Sequence, residues 1–418
     1  MPYTTIGRRD LLKRGALFVA LGLTAPSFVA RTAAAAQQAT AGQPASQSRK
    51  TLVVVQLGGG NDGLNTVVPV GDDNYYRARP TLAIPRGEAL PLVDGLGLHP
   101  SLKGFKDLYA AGKMALVQGV GYPNPNRSHF RAMDIWQTAA PDRYEQTGWL
   151  GRYLDAQCCG TQPKDTSGQL AAVSLADGSP RAFWNEHVLV PSIPDLDHFQ
   201  LQTDARERDK TLDAFKMVYD DDEQASMYES LVRKAGLDAL ETSEELKRIA
   251  AAYRPGVTYP NTQFGKGLQT IAQLINADLG SRVFYISLGG FDTHSGQKNT
   301  QARLLQTLAE GISAFQSDLE SHGHADDVVT LAFSEFGRRV AENASAGTDH
   351  GTAEPLFVFG PVKGGIVGDH PSLTDLDAGD LKFAVDFRSV YATLLDGWLG
   401  TDASAVLGGS FGKLPLLG

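Results

Sequence analysis

The segment TLVVVQLGGGNDGLN, residues 51–65, decides the fold. Its first half is a short, nearly continuous apolar run, which is typical of a β-strand buried on both faces of a sheet. Its second half consists of glycines and polar residues, so the strand is predicted to end in a loop that carries Asp62. In α/β folds, ligands bind in loops of this kind, outside the carboxyl ends of the strands.

The strand pattern recurs along the chain. Further short apolar runs occupy residues 114–120, 170–176, 283–290, 328–336 and 355–360. Two amphipathic helices are predicted between the later runs, from the apolar stripes Phe264, Leu268, Ile271, Ile275 and Leu304, Leu305, Leu308, Ile312, Phe315, Leu319. Alternating strands and helices predict an α/β fold: a doubly wound, mostly parallel sheet with helices on both faces.

The domain organisation follows from where this pattern is interrupted. Residues from about 161 to 260 are less regular, with several prolines and a long polar stretch, and are predicted to form an insertion or cap. Residues 51–418 are therefore predicted to be a single α/β domain that carries this insertion.

The N-terminus has the three parts of a twin-arginine export signal. Arg8 and Arg9 precede a modest apolar stretch at residues 16–25 and a run of small residues that ends at Ala36. We expect residues 1–36 to be a cleaved signal and residues 37–50 to be a flexible linker. The apolar stretch is too short to span a bilayer. The protein is thus expected to use the twin-arginine export machinery, to be periplasmic or secreted, and not to be an integral membrane protein once cleaved.

Charge narrows the class of partner. The chain of 418 residues has a formal net charge of -9 and no block of like charges. Nucleic acids and anionic membranes are bound through basic patches, so neither is an expected partner. A small ligand fits this composition better.

Residues with metal-binding or nucleophilic chemistry lie at or after the ends of four of the apolar runs and before the last one. Because the carboxyl ends of parallel strands lie at one edge of a sheet, these residues are expected to lie close together. They are Asp62, then Ser128 with His129, then Asp292 with His294, then Glu335, and finally His350. This recurrence in successive loops is the observation on which the functional prediction depends.

The residue types predict a metal site. Two imidazoles and a carboxylate, from His294, His350 and Asp292, suit zinc or a similar ion with one position left open for water or substrate. Asp62 and Glu335 are further carboxylates that are able to hold a second ion.

A nucleophile and an anion-binding group are predicted beside these ligands. A metal near Ser128 would activate its hydroxyl as a nucleophile. Arg127 or Arg338 would bind an anionic substrate group in bidentate fashion. A small anionic substrate is therefore the expected ligand.

Each residue also has an ordinary structural explanation. The glycine-rich loop after the first strand is compatible with a tight turn, and FDTH at residues 291–294 with an Asx turn and helix cap. Ser128 is compatible with a helix N-cap, and Glu335 with a surface ion pair to Arg338 or Arg339. The joint occurrence of these residues after successive strands favours a site.

A series of motifs in this chain resembles the exported domain-of-unknown-function family 1501, which belongs to the alkaline phosphatase-like superfamily. The motifs follow the twin-arginine segment and are, in chain order, LGGGNDGLNTVVP, NRSHF, GGFDTH, SEFGR, GTDHG and DFRSVYATLLDGWLG. The resemblance covers nearly the whole mature chain. It implies a doubly wound sheet that carries a metal site of the phosphatase, sulfatase and phosphoglycerate mutase kind, without a known substrate.

The resemblance implies roles for four of the residues. Asp62 takes the place of the superfamily's first metal aspartate, and Ser128 that of its serine or threonine nucleophile. Asp292 and His294 take the place of an aspartate and a histidine at one metal. They are two positions apart here, where the superfamily often has a wider spacing.

The remaining motif positions depart from the superfamily. SEFG stands where an Asp-His-Gly is usual, so Glu335 replaces the aspartate and Phe336 the histidine, which leaves an oxygen-only second site suited to Mg²⁺, Mn²⁺ or Ca²⁺. His129 or Asp349 is a candidate to supply the ligand that Phe336 cannot provide. His350 resembles the final metal histidine, and an alternative alignment instead treats Asp349 and His350 as the usual Asp-His pair.

Two functions are compatible with these observations. The first is an exported metal-dependent hydrolase of phosphate esters with Ser128 as the nucleophile. Sulfate esters are less favoured because the C-x-P-x-R motif of sulfatases is missing from the chain. The second is a non-catalytic, metal-stabilised exported protein that binds or assembles with an unknown exported protein partner, and Phe336 favours it. A metal-free serine hydrolase is disfavoured because the chain has no G-x-S-x-G elbow around Ser128.

Overall fold

The computed structural model of the chain describes residues 50–159, 171–176, 178–188, 190–193, 210, 213 and 248–418, without the side chains of Cys158 and Cys159. The predicted export signal at residues 1–36, the linker up to residue 49 and most of the predicted insertion at about 161–260 lie outside the described residues. These parts of the domain organisation therefore stay predictions.

The strands include every one predicted from the sequence. In chain order they are β1 (Thr51–Gly58), β2 (Val67–Val68), β3 (Leu90–Val93), β4 (Leu96–Leu98), β5 (Met114–Gly121), β6 (Ala172–Ser174), β7 (Val283–Gly289), β8 (Val328–Ser334), β9 (Glu354–Phe359), β10 (Gly365–Val367), β11 (Leu376–Asp377), β12 (Asp380–Leu381) and β13 (Val385–Asp386). The long apolar runs became β1, β5, β7, β8 and β9, and a shorter β6.

A central eight-stranded sheet holds most of these strands. Its order is β10, β5, β9, β8, β1, β7, β6, and β13 also pairs with β5. Strands β2, β4 and β3 form a small separate sheet, and β11 pairs with β12. All pairs of the central sheet are parallel except those of β9 with β5 and with β8. The predicted mostly parallel α/β sheet is confirmed.

The reversed direction of β9 brings a further loop to the site. In the register of this pair Glu354, at the start of β9, lies opposite Val120, near the end of β5. The segment before β9, which contains His350, therefore lies at the same edge as the carboxyl ends of the parallel strands.

The helices of the described residues connect and flank the sheet. They are α1 (Gly63–Thr66), α2 (Asp73–Ala78), α3 (Lys103–Ala110), α4 (His129–Thr138), α5 (Trp149–Cys159), α6 (Gln263–Asn276), α7 (Gln297–Ser321), α8 (Phe387–Thr393) and α9 (Ala403–Leu407). A 3₁₀ turn spans Arg181–Phe183, and a π-helix at Leu394–Leu399 continues α8. No helix of the described part of the chain is long and apolar enough to cross a membrane.

The core has two halves, one on each face of the sheet. Successive side chains of a strand point to opposite faces, so Val53 and Val55 of β1 join one buried cluster, while Leu52 and Val54 join the other. The first cluster includes the predicted stripes of α6 and α7. The second includes Trp136 of α4 and residues of α5 and α8. Helices thus cover both faces, as the doubly wound prediction requires.

Candidate metal centre

Two loops and one helix start meet at the carboxyl edge of the sheet. Asp292 and His294 follow β7, His129 is the first residue of α4 after β5, and His350 precedes β9. His129, Asp292 and His350 each offer a ligand atom, and these atoms all lie within 4.8 Å of one another. Asp292, His294 and His350 were predicted from the sequence as one ligand set, and the structure brings all three together.

The carboxylate of Asp292 is at the centre of this group. Its Oδ1 lies 3.1 Å from Nε2 of His294 and 3.2 Å from Nε2 of His350. The two Nε2 atoms of His294 and His350 are 2.8 Å apart. On the other side, Oδ2 of Asp292 lies 3.4 Å from Nε2 of His129. Three imidazoles thus present the same nitrogen, Nε2, to one carboxylate.

The other nitrogen of each imidazole is held by an oxygen acceptor. Nδ1 of His350 lies 2.7 Å from the carbonyl oxygen of Arg127, and Nδ1 of His129 lies 2.8 Å from Oε1 of Glu335. Nδ1 of His294 lies 3.2 Å from Oδ1 of Asp349. Since carbonyl and carboxylate oxygens only accept, these contacts are hydrogen bonds when each Nδ1 carries the proton, and this tautomer leaves the lone pair of Nε2 free for a metal ion. Oxygen partners of this kind orient metal-binding histidines in proteins.

The donor set fits a divalent metal ion. Ligands at about 2.0–2.2 Å from a tetrahedral zinc ion lie about 3.3–3.6 Å from one another, close to the separations around Asp292. Nε2 of His129 is also buried without a hydrogen-bond partner among the described residues. A buried nitrogen with an unused lone pair is costly, and a metal ion would satisfy it. Imidazoles with one carboxylate suit zinc or a similar borderline ion.

The charge state of Asp292 is set mainly by Arg338. Burial alone would raise the pKa of Asp292, but the adjacent Arg338 and the nearby His350 lower it to about 2. Nη2 of Arg338 lies 2.8 Å from Oδ1 of Asp292. The carboxylate is therefore ionised at neutral pH and available as a ligand.

The surroundings of His129 and His350 shift the pKa values of these two imidazoles in opposite directions. The hydrogen bond to Glu335 raises the pKa of His129 against the opposing effect of burial. Burial lowers the pKa of His350, and its bonds to the Arg127 carbonyl and Asp292 only partly oppose this. His350 is thus neutral near pH 7, as a metal ligand must be, while a proton and a cation compete for Nε2 of His129.

Two glycines allow these loops to approach each other. Gly59 has φ +119, and a Cβ on it would lie 2.4 Å from the backbone nitrogen of Asp292. A Cβ on Gly347 would lie 2.2 Å from the carbonyl carbon of His294. Only glycine fits at either position. The GGG and GTDHG motifs therefore serve to pack the loop after β1 and the loop before β9 against the loop after β7.

Glu335 and Phe336 support the imidazoles from behind. The carboxylate of Glu335 is buried and accepts from Gly59 N at 2.9 Å as well as from His129. The buried ring of Phe336 packs on the rings of His129 and His350, with centroids 4.9 and 4.7 Å away. Glu335, predicted as a ligand of a second ion, is thus occupied in orienting His129.

Asp62, the other predicted ligand of a second ion, has different neighbours. Its buried carboxylate forms an ion pair with Arg79, whose side chain is fully buried, and accepts from Gln297. It also accepts from Asn65 N and so caps α1. Asp62 and Glu335 thus have different partners, and the oxygen-only second site stays a prediction.

We expect Asp62→Ala to destabilise the fold without removing metal. Truncation leaves the guanidinium of Arg79 buried without its carboxylate, which costs about 3–5 kcal/mol of unfolding free energy. Urea unfolding measures the loss, and elemental analysis measures the metal. Asp72→Ala is the matched control, because Asp72 caps α2 in a more exposed position and should lose only about 1 kcal/mol. Loss of metal from Asp62→Ala would return Asp62 to the ligand set.

Arg338 is occupied within the protein. Its side chain is fully buried and donates to the carbonyl oxygens of Gly60 at 2.7 Å and Thr348 at 2.8 Å, besides its bond to Asp292. It has no exposed face for a substrate, although the sequence analysis predicted it as an anion-binding group. Its role is to hold Asp292 and to join the surrounding loops.

Ser128 and Arg127 lie at the edge of the metal centre. Ser128 is exposed and is the N-cap residue of α4, but its side chain makes no capping hydrogen bond. Its neighbours in the chain both touch the site, since Arg127 accepts from His350 through its carbonyl oxygen and His129 faces Asp292. The guanidinium of Arg127 is 44% exposed and pairs with Asp380.

A cavity opens beside the metal centre. It has a volume of about 470 Å³, and His129, Asp292 and Glu335 form its inner wall. It continues along α4 towards Gln137 and Arg181. The ligand cluster is therefore reachable from solvent by a molecule larger than water.

His129 was predicted from the sequence only to compensate for Phe336, whereas in the structure its Nε2 lies 3.4 Å from Oδ2 of Asp292, within reach of a shared metal ion. The signal was its position directly after a buried strand, beside Ser128 in NRSHF. Asp349, the other candidate to compensate, instead orients His294, and hydrogen bonds from Asn343 and His294 lower its pKa.

Comparisons with known proteins give one strong match. The model of a family described as "Protein of unknown function (DUF1501)" matches residues 49–414. No curated protein matches the chain.

Several solved structures show a weak likeness. Ps i-CgsB in complex with k-i-k-neocarrahexaose is 8% identical, with a TM-score of 0.35 over 87% of this chain and 73% of that one. The PsFucS1 sulfatase from Pseudoalteromonas sp. is 11% identical, with a TM-score of 0.33 over 96% and 72%. The alkaline phosphatase from the Antarctic bacterium TAB5 is 10% identical, with a TM-score of 0.30 over 77% and 95%. Likenesses at this level carry no argument about activity.

Proposed function

Since residues 49–414 match its model, this chain belongs to the DUF1501 family, as its motifs predicted, and from that premise we propose that it is a metal-dependent hydrolase of phosphate esters. The observation that carries the proposal is the convergence of three Nε2 atoms on Asp292, each imidazole being held at Nδ1 by an oxygen. We propose His129, Asp292, His294 and His350 as the ligands, and zinc as the metal.

Divalent zinc, when bound here, would supply positive charge to a substrate oxygen and lower the pKa of a nearby hydroxyl. The protein residues fix this charge in place. Glu335, Asp349 and the Arg127 carbonyl keep the three Nδ1 atoms protonated and the three rings oriented. Arg338 keeps Asp292 ionised. Because these groups are already in place, they stabilise the charge that develops in the transition state, and the site does not have to reorganise.

We propose Ser128 as the nucleophile. Its exposed hydroxyl lies at the start of α4, between two residues that touch the metal centre. Its Oγ would form a bond to phosphorus as the bond from phosphorus to the alcohol oxygen breaks. The proton of Oγ passes to solvent, and the alcohol leaves after taking up a proton. Water then cleaves the phosphoserine, which restores Ser128 and releases inorganic phosphate.

Anion binding is assigned to Arg127 rather than Arg338. Arg127 directly precedes Ser128 in the chain. Its side chain is 44% exposed, whereas the side chain of Arg338 is fully buried. The ion pair with Asp380 uses only part of its guanidinium, which has five N–H donors. The remaining donors suit a phosphate oxygen.

Metal removal is the direct test of this function. We expect the mature protein to hydrolyse an aryl phosphate with added zinc, to lose the activity in excess chelator and to regain it when zinc is restored. A release of phosphate that is indifferent to chelator would contradict the proposal. The same assay with an aryl sulfate should give a much slower reaction, as the lack of a sulfatase nucleophile motif predicts.

A second function, a non-catalytic metal-stabilised protein with an unknown exported protein partner, has one observation in its favour. Asp62 and Glu335 contact Arg79 and His129. We therefore propose a single metal centre on the described residues, where the resemblance implied two. Stoichiometric zinc without turnover of any phosphate ester would favour this function. In both cases we propose that the protein acts outside the cytoplasm, delivered by the predicted signal at residues 1–36.

A further inference from the structure

The cavity beside the metal centre is longer than a phosphate group. Residues of one face of α4 line it, from the ligand His129 at the start of the helix, through Phe130 and Met133, to Gln137 near its end. Residues 129 and 137 are eight positions apart on the α-helix, a rise of about 12 Å. A substrate whose phosphate lies at the metal therefore has space for its alcohol group along α4.

The far end of the cavity is polar. Nε2 of Gln137 donates to Oε1 of Gln56 at 2.9 Å, and the hydroxyl of Tyr285 also donates to this Oε1. These bonds leave Nε2 of Gln56 and Oε1 of Gln137 unused within the described residues. The two side chains line the cavity and so offer it one donor and one acceptor.

An arginine adds further donors to this end. Arg181 lines the cavity with 29% of its side chain exposed. Nη1 of Arg181 lies 2.6 Å from Oδ1 of Asp134, which fixes the guanidinium at the cavity wall. Arg181 has N–H donors beyond those that Asp134 and the Glu145 carbonyl accept, and these donors suit hydroxyl oxygens.

The mouth of the cavity is aromatic. Phe130 follows the ligand His129 and is 91% exposed, which is unusual for a phenylalanine. The exposed ring of Phe130 at the edge of this pocket is available for contact with a bound ligand. Its ring is suited to stack on the C–H face of a ring-shaped ligand.

Hydroxyl-binding groups at one end and a stacking ring at the other fit one class of molecule. We propose that this cavity binds a sugar or a similar polyhydroxylated ring, with Phe130 stacked on its face and Gln56, Gln137 and Arg181 bonded to its hydroxyl groups. If the protein hydrolyses phosphate esters as proposed above, its substrate would be a sugar phosphate, and this part of the proposal rests on the proposed function. The binding of a sugar is argued from the residues of the cavity alone.

Binding measurements on the full-length mature protein with zinc test the proposal. Titration calorimetry compares a hexose 6-phosphate with phenyl phosphate and inorganic phosphate. We expect the hexose 6-phosphate to bind at least about 10-fold more tightly than inorganic phosphate. Phe130→Ala and Gln137→Ala should each weaken hexose 6-phosphate binding about 3- to 10-fold, the effect of losing one stacking contact or hydrogen bond, and should leave inorganic phosphate unchanged. Phe383→Ala, a partly exposed phenylalanine outside this cavity, is the matched control and should change neither.

A neutral probe separates this proposal from the proposed function. Saturation-transfer NMR should detect contact of a methyl hexoside with the parent protein and loss of contact in Phe130→Ala, whether or not the protein hydrolyses any ester. Failure of hydrolysis with sugar contact intact would overturn the proposed function alone. The sugar proposal is overturned if the hexoside makes no contact, or if phenyl phosphate binds as tightly as the hexose phosphate with no effect of Gln137→Ala.

Discussion

His350→Ala should lose the metal, and with it the stabilisation that the metal provides. Nε2 of His350 lies 3.2 Å from Oδ1 of Asp292 and 2.8 Å from Nε2 of His294. Replacement by alanine therefore removes one of the proposed metal ligands. We expect zinc affinity to fall by more than the roughly 10- to 100-fold that loss of a mere supporting partner costs. Elemental analysis after dialysis should find close to one zinc per parent chain and little in the variant.

The thermal consequence follows from mass action. A ligand present at 100 times its dissociation constant stabilises the folded state by about 2.7 kcal/mol. Zinc should therefore raise the melting temperature of the parent by several degrees and leave that of His350→Ala nearly unchanged. His187→Ala removes a half-exposed imidazole away from the cluster and should behave like the parent. Equal zinc content in His350→Ala and His187→Ala would exclude His350 as a ligand.

Ser128→Ala should abolish turnover and keep the metal. Loss of a nucleophile typically costs at least about 10³-fold in kcat, because the reaction then has no covalent route. The fold should be unaffected, because the Ser128 side chain is exposed and makes no capping bond. The assay is phosphate release from an aryl phosphate, with zinc content measured on the same samples.

The matched control is Ser295→Ala, another exposed serine one residue from a proposed ligand. It should retain activity within about threefold of the parent. If Ser128→Ala retains activity to the same extent, Ser128 is not the nucleophile, while the metal centre would stand. Trapping of phosphate on Ser128, found by mass spectrometry of acid-quenched parent enzyme, would give independent support.

The central sheet could be predicted because its strands are buried on both faces. Runs such as TLVVVQL at residues 51–57 are nearly continuously apolar, a pattern that surface elements do not show. The two-residue strands β2, β11, β12 and β13 were not predicted, since so short a segment has no periodicity of its own. The direction of β9 was also not predicted, because an apolar run has the same composition in either direction.

The ligand cluster could be predicted in part. Asp292, His294 and His350 lie directly beside strand ends, where topology alone brings them to one edge. Asp62 lies at a strand end too, yet its carboxylate pairs with Arg79, which lies 17 residues further along the chain in a segment without a motif. Such a contact depends on the path of a loop, and neither spacing nor residue type reveals it. The same holds for Glu335, whose buried carboxylate supports His129.

Anomalous X-ray diffraction from crystals of the mature protein grown with zinc, with data on both sides of the zinc edge, tests the metal centre most directly. The account predicts one strong peak about 2.0–2.2 Å from the Nε2 atoms of His129, His294 and His350 and from an Asp292 oxygen. A peak at the carboxylate of Asp62, or no peak among these imidazoles at saturating zinc, would contradict it.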